Sequence, residues 1–198
     1  MNILLIVLSA VAGYLIGSFS FSITISKLLF GKDVRAGGSG NAGATNMARS
    51  FGALPGIVTL AGDVLKTLIL LTAGHLIAGE LGMTAAGIAG LTGHCFPCYY
   101  GFKGGKGVSA GLAVAFACSW KAGVAALAVF ALVAVLGRKV SAGSIAGAAA
   151  AFITALVTGC PAPRLIMLAF AVVLIVARHR ENIMRLIKGT EQDFKFGK

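Results

Sequence analysis

The chain opens on a run from Asn2 to Ile25 without a single charged residue. Coiled as an α-helix at 1.5 Å per residue, such a run is about 36 Å long, enough to cross roughly 30 Å of hydrocarbon. It is too long for a strand and lacks the basic leading stretch of a secretion signal, so it reads as a retained membrane helix. The rest of the chain has the same character. Of 198 residues, 58% are hydrophobic and 12% charged, roughly half the charge of a soluble domain, and the mean hydropathy is +0.93. These values predict an all-α, polytopic membrane helix bundle, with residues 1–198 as one membrane domain. The formal net charge of +11 then belongs at membrane surfaces and in sites. Membrane lipid is an expected partner and nucleic acid is not.

Glycine and alanine blur the limits of the spans, so charges and turn residues mark their ends. Spans are expected near 3–28, 52–77, 83–98, 108–119, 121–137, 140–158 and 163–178. About seven transmembrane helices follow. Five plus a re-entrant pair is the alternative, because the stretch 108–119 is too short to cross alone. With the amino terminus outside, the inner segments 29–51, 99–107, 138–139 and 178–198 hold thirteen Lys and Arg residues, Lys195 and Lys198 among them. The outer turns hold Lys121 and Arg164 only. Basic residues concentrate on the cytoplasmic side of membrane proteins, so the amino terminus is expected outside and the carboxy terminus in the cytoplasm. The segments richest in glycine and polar residues, near 31–50, 99–109 and 178–198, then all face the cytoplasm.

The first of these carries Gly38, Gly40 and Gly43 in a G-x-G-x-x-G pattern. A dinucleotide site needs a strand before that pattern, and here a membrane span precedes it. Glycines permit positive φ and close backbone approach, so successive N–H groups form an anion nest. Ser39, Asn41, Thr45 and Asn46 add neutral donors, while Arg35 and Arg49 add charge, and Arg49 offers two parallel hydrogen bonds to a phosphate. A flexible linker with a cap at Thr45 or Asn46 is the plainer alternative. The second segment, Gly101 to Ser109, is not an NTP-binding P-loop. Tyr100 stands where the first glycine belongs, and Gly107 follows the lysine in place of Ser or Thr. Lys103 and Lys106, set among Gly104, Gly105 and Gly107 where a helix begins, still suit a phosphate; a positive-inside anchor would explain the lysines but not the glycines. In the third segment a continuous helix would put Arg178, Asn182 and Arg185 on one face, with His179 on an adjoining stripe. An amphipathic helix lying on anionic lipid competes with that reading.

Smaller features complete the inventory. Asp63 and Lys66, spaced i to i+3 inside the second span, are expected to pair, and ions buried in a membrane are functional suspects. Ser141, beside Arg138 and Lys139, is expected to cap the sixth span. Cys95 and Cys98 form a C-x-x-C next to His94, without a second such pair. With Cys118 and Cys160 they are read as small buried hydrophobes, and no metal site or cofactor is expected.

Taken together, the segments resemble the bacterial acyl-phosphate-dependent glycerol-3-phosphate acyltransferases. The first motif is matched by Gly38-Ser39-Gly40-Asn41-Ala42-Gly43-Ala44-Thr45-Asn46. Gly93-His94 through Pro97 to Phe102-Lys103-Gly104-Gly105-Lys106-Gly107-Val108 matches the second, and Arg178-His179-Arg180-Glu181-Asn182-Ile183 to Gly189-Thr190-Glu191 the third. The resemblance covers essentially the whole chain, in order. The departures are small: Cys95 and Cys98 fall where the family varies, and Ser109 stands where Ala is expected.

This resemblance implies acyl transfer from acyl-phosphate to the 1-hydroxyl of glycerol 3-phosphate, giving 1-acyl-glycerol 3-phosphate (lysophosphatidic acid) and phosphate, the first acylation of phospholipid synthesis. It implies no acyl-CoA or acyl carrier protein as direct donor, no cofactor, and a multi-pass protein of the bacterial cytoplasmic (inner) membrane with its active site on the cytoplasmic side. Ser39, Arg49, His179 and Asn182 are the candidate catalytic residues. Gly38, Gly40, Asn41, Thr45, Asn46, His94, Lys103, Gly104, Gly105, Lys106, Gly107, Ser141, Arg178 and Glu191 are the candidate substrate-binding residues. The base is His179 or the substrate's own phosphate, with the balance toward the phosphate. Ser39 is assigned to positioning a phosphate or the oxyanion, not to forming an acyl-serine, because the donor already carries its leaving group. A membrane transporter for phosphate or a small organic anion is the competing class. It fits less well, since the charges gather on one face and no inverted repeat is evident.

Overall fold

The computed structural model describes residues 2–193, so Lys195 and Lys198 of the charge count lie outside the described residues. Those residues form nine α-helices with short connections. The first apolar run is two helices, α1 (Ile3–Ser18) and α2 (Phe21–Phe30), parted at Phe19 and Ser20. The Ser20 hydroxyl accepts from the Ile23 N–H at 3.4 Å. The Phe19 carbonyl, left over at the end of α1, accepts from the Lys66 ammonium at 2.6 Å. A helix end in an apolar setting needs such a partner, and this one comes from a different span.

Short α3 (Ala44–Phe51) leads into α4 (Ala53–Cys95), in which Ala78 and Gly79 leave helical geometry. The backbone folds back there, bringing Gly74 against Gly82, so α4 is a hairpin with arms 53–77 and 80–95. Then follow α5 (Val108–Cys118), α6 (Trp120–Gly137), α7 (Val140–Val157), α8 (Ala162–Arg178) and α9 (Arg180–Ile187). By length and composition four segments suffice to cross a membrane, and bent α8–α9 makes a fifth. The seven expected spans exceed this count for two reasons. The α4 hairpin contains two of them, and α5, with eleven residues, is about 16 Å long.

Small residues set the packing. A Cβ on Gly13 would come 2.5 Å from the Ala86 carbonyl oxygen, and one on Gly17 would come 2.6 Å from the Gly90 Cα. α1 and the arm 80–95 therefore meet backbone to backbone, as close helix approach in membranes requires. α6 and α7 are seamed the same way, with Gly143 against the Phe130 carbonyl and Gly147 against that of Ala126. Helix α5 is the centre of the core: Ala110, Val114 and Ala115 are buried among Leu71, Leu91, Met167 and Leu168. At its far end the Arg164 guanidinium grips Glu80 at 2.6 and 2.7 Å and donates to the Ala117 carbonyl.

Candidate active site

At the opposite end of α5 the three polar segments converge on one cavity of about 250 Å³. Its polar lining includes Ser39, Asn41, Thr45, Asn46, Arg49, His94, Lys106, Ser141, His179, Asn182 and Glu191. The remainder is apolar, from Leu112, Ala115, Leu127, Phe130, Ala151, Leu168 and Val172 on the surrounding helices. A charged substrate head and a hydrocarbon tail can thus occupy one continuous space.

The first loop is organised by Asn46, which is fully buried. Its amide donates to the carbonyls of Val34 at 2.8 Å, Asn41 at 3.0 Å and Gly37 at 3.1 Å, and its Oδ1 accepts from the Ser39 N–H at 2.8 Å. Helix α3 begins at Ala44 behind Gly43, with no side chain capping it, and its first residues line the cavity. Among the described residues, neither the Ser39 hydroxyl nor the Arg49 guanidinium has a hydrogen-bond partner, and both face the cavity.

The second loop is tied to the end of α4 by its own backbone. Gly104 N–H donates to the Cys95 carbonyl at 3.2 Å and Gly105 N–H to that of His94 at 3.0 Å. Two arginines take up its carbonyls. Arg35 donates to Tyr100 at 2.8 Å and Lys103 at 3.0 Å, and Arg178, lying over the Phe96 ring, donates to Gly105 at 3.3 Å. Lys106 reaches the Asn182 Oδ1 at 2.6 Å. Burial pushes its ammonium below the ordinary lysine range, and the positive charge of Arg185 adds to the shift.

The third segment bends by 58° at His179, whose Nδ1 lies 2.8 Å from the Ile175 carbonyl. A carbonyl only accepts, so Nδ1 carries a proton and Nε2 is the free position of the neutral ring. Beyond the bend, the Glu191 carboxylate collects Asn182 Nδ2 at 2.6 Å, Ser141 Oγ at 2.7 Å and Arg185 Nε at 2.7 Å. Burial alone would raise this carboxyl. The three hydrogen bonds outweigh it and hold Glu191 below the usual glutamate range.

Residues 7–189 match the family model described as Glycerol-3-phosphate acyltransferase. Similar curated proteins are the glycerol-3-phosphate acyltransferases of Jannaschia sp. (strain CCS1), 40% identical over 98% of this chain and 95% of that one, and of Geotalea daltonii, 42% identical over 93% and 95%. The chain belongs to the glycerol-3-phosphate acyltransferase family. Among solved structures it is similar to PlsY, an integral membrane glycerol 3-phosphate acyltransferase, in its glycerol 3-phosphate form (TM-score 0.90, 37% identical, 96% of each chain). Its similarity to the lysophosphatidic acid form is nearly as high (TM-score 0.87, 36% identical, covering 96% of this chain and 95% of that one).

Within this acyltransferase the structure distributes the candidate residues unevenly. Ser39, Asn41, Thr45, Asn46, Arg49, His94, Lys106, Ser141, His179, Asn182 and Glu191 meet in the cavity. Lys103 and Gly40 line a neighbouring cleft with Lys27, Arg35 and Tyr99. Gly38, Gly104, Gly105 and Gly107 shape the loops, and Arg178 braces the second loop from outside. Because of the bend at His179, Arg178 does not share a helix face with Asn182 and Arg185. Ser141 does not cap its helix: Lys139 occupies the cap position, and the Ser141 hydroxyl goes to Glu191. Asp63 and Lys66 do pair, at 2.8 Å. The four cysteines are free thiols.

Proposed function

We propose that the protein transfers an acyl group from acyl-phosphate to the 1-hydroxyl of glycerol 3-phosphate, at the cytoplasmic face of the membrane, with the amino terminus outside. The family supports acylation of glycerol 3-phosphate to lysophosphatidic acid, and a transporter is not favoured. The observation that carries the finer reading is the single cavity whose polar part holds Arg49, Lys106 and loop donors while its remainder is lined by hydrocarbon. Positive-inside bias supports the sidedness.

Acyl-phosphate is a mixed anhydride, so the protein's task is to align and to stabilise charge. The glycerol hydroxyl oxygen attacks the acyl carbonyl carbon, the carbon–oxygen bond to phosphate breaks, and phosphate leaves with the electron pair. Arg49 and Lys106 neutralise phosphate charge, and Ser39 donates to a phosphate or to the oxyanion. Before attack the hydroxyl donates its one proton in a hydrogen bond to the free Nε2 of His179, which orients the oxygen. As the new carbon–oxygen bond forms, that proton is released to a substrate phosphate.

Purified protein in detergent should release phosphate from acyl-phosphate only when glycerol 3-phosphate is present, and acyl-CoA should not replace the donor. On this mechanism His179→Ala nearly abolishes turnover, whereas His179→Gln keeps a measurable part of it and retains the acidic limb of the pH–rate profile. A folded His179→Gln protein without turnover would make His179 the obligatory base.

A further inference from the structure

Behind the cavity wall lies a buried cluster that the mechanism above does not use. The Lys66 ammonium, almost inaccessible to solvent, hydrogen-bonds the Phe19 carbonyl at 2.6 Å and His94 Nδ1 at 3.1 Å. Asp63 Oδ1, 2.8 Å away, is its ion-pair partner, although that oxygen makes no aligned hydrogen bond. An ammonium only donates, so His94 Nδ1 must accept and cannot carry a proton. Asp63 does not compete, since its carboxylate is 3.7 Å from that nitrogen. In the neutral ring the proton therefore resides on Nε2. This nitrogen lies against Gly105, where a Cβ would collide with it and approach the Ala42 carbonyl at 2.9 Å. The two glycine-rich loops thus converge on His94 Nε2, on a ring that lines the cavity and finds no protein partner for that atom among the described residues.

We propose that the Asp63–Lys66 pair is a positioning device that fixes His94 as the Nε2–H tautomer, making it a permanent hydrogen-bond donor to a substrate oxygen. This rests on the acyltransferase reading. The device gives the two site histidines opposite polarity: His179 is held by a carbonyl with Nε2 as acceptor, and His94 by an ammonium with Nε2 as donor. It also gives the ion pair inside the span a role beyond the support that Lys66 lends to the Phe19 carbonyl.

The test begins with the unaltered protein. In ¹⁵N-labelled protein in detergent at pH 7, with the ring signals assigned through His94→Gln, His94 should show a protonated Nε2 and an unprotonated Nδ1. A protonated Nδ1, or an imidazolium, overturns the proposal without any variant having to fold. Replacing the pair by apolar residues of similar size (Asp63→Leu with Lys66→Met) should release the tautomer and lower kcat/KM tenfold or more in protein that remains folded. His94→Gln, which keeps a donor near the Nε2 position, should retain more activity than His94→Ala. A folded double variant with unchanged kcat/KM, or equal losses in His94→Gln and His94→Ala, overturns the donor role. If unaltered protein shows the expected tautomer but releases no phosphate, the acyltransferase reading fails and the lock stands.

Discussion

The glycine-rich loop before α3 is tied together from inside by one buried amide, whereas the loop before α5 is held from outside by two guanidinium groups. Asn46 satisfies three carbonyls and one N–H of its own loop. Because this scaffold is neutral, Arg49 is not needed to hold the loop and remains available to a phosphate. In the second loop the carbonyls are taken by Arg35 and Arg178 from other segments, which leaves Lys106 as its charge in the cavity. A phosphate site can thus spare its cations by internal amide bonding or by borrowing cations from neighbours. The first arrangement fails at one residue; the second is spread over several.

The largest effect should come from Asn46→Ala. It removes the buried amide's hydrogen bonds to the Val34, Gly37 and Asn41 carbonyls and from the Ser39 N–H, each worth about 0.5–1.5 kcal/mol, although backbone N–H groups still reach the three carbonyls. A large drop in thermal midpoint and near-complete loss of phosphate release are expected. Arg178→Ala, which removes one of several braces, should lower the midpoint much less, and an equal drop would erase the contrast between the loops. Next in size is the difference between two cations. Arg49→Ala should raise the KM for glycerol 3-phosphate about tenfold or more, the loss of a charge-assisted contact of about 1.5–3 kcal/mol. Sequence alone put Lys103 in the same role, but its place in the neighbouring cleft predicts a change within about twofold for Lys103→Ala. Comparable effects of the two would return Lys103 to the site.

The smallest effect concerns acid. Arg35, the residue that bridges to the second loop, also hydrogen-bonds Asp33 at 2.8 and 3.0 Å and thereby holds that carboxyl down at about 2. A depressed carboxyl adds stability above its ordinary value near pH 4, and that stability is lost as pH falls through about 2. The margin in thermal midpoint of unaltered protein over Asp33→Asn should therefore be constant above about pH 4 and shrink below it. Partial exposure of the pair keeps the margin small.

The helical membrane class and the Asp63–Lys66 pair were legible because each rests on local composition or on an i to i+3 spacing, whereas the three polar segments were joined into one site by their resemblance to the family's motifs. What escaped depends on distant partners. The break at Phe19 is sustained by Lys66, 47 residues on; Gly17-Ser18 just before it is no signal in a chain with 28 glycines. The bend at His179 has neither Gly nor Pro beside it, and it divides a stretch whose helical periodicity reads as unbroken. Asn46 looks like one more loop donor until the fold brings Val34 and Gly37 within its reach. Ser141, a plausible cap from its position, is drawn away by Glu191, fifty residues later.

The backbone seam between α1 and the arm 80–95 has a mechanical consequence. Where main chains touch without intervening side chains, there is no slack to absorb a displacement. That side of the bundle is a fixed post. The α6–α7 pair is seamed to itself just as tightly, so it is one stiff panel, set on the core through the single methyl groups of Ala122, Ala126, Ala151 and Ala155. A long hydrocarbon tail beside Leu127 and Phe130 therefore lies against a wall that cannot yield one residue at a time.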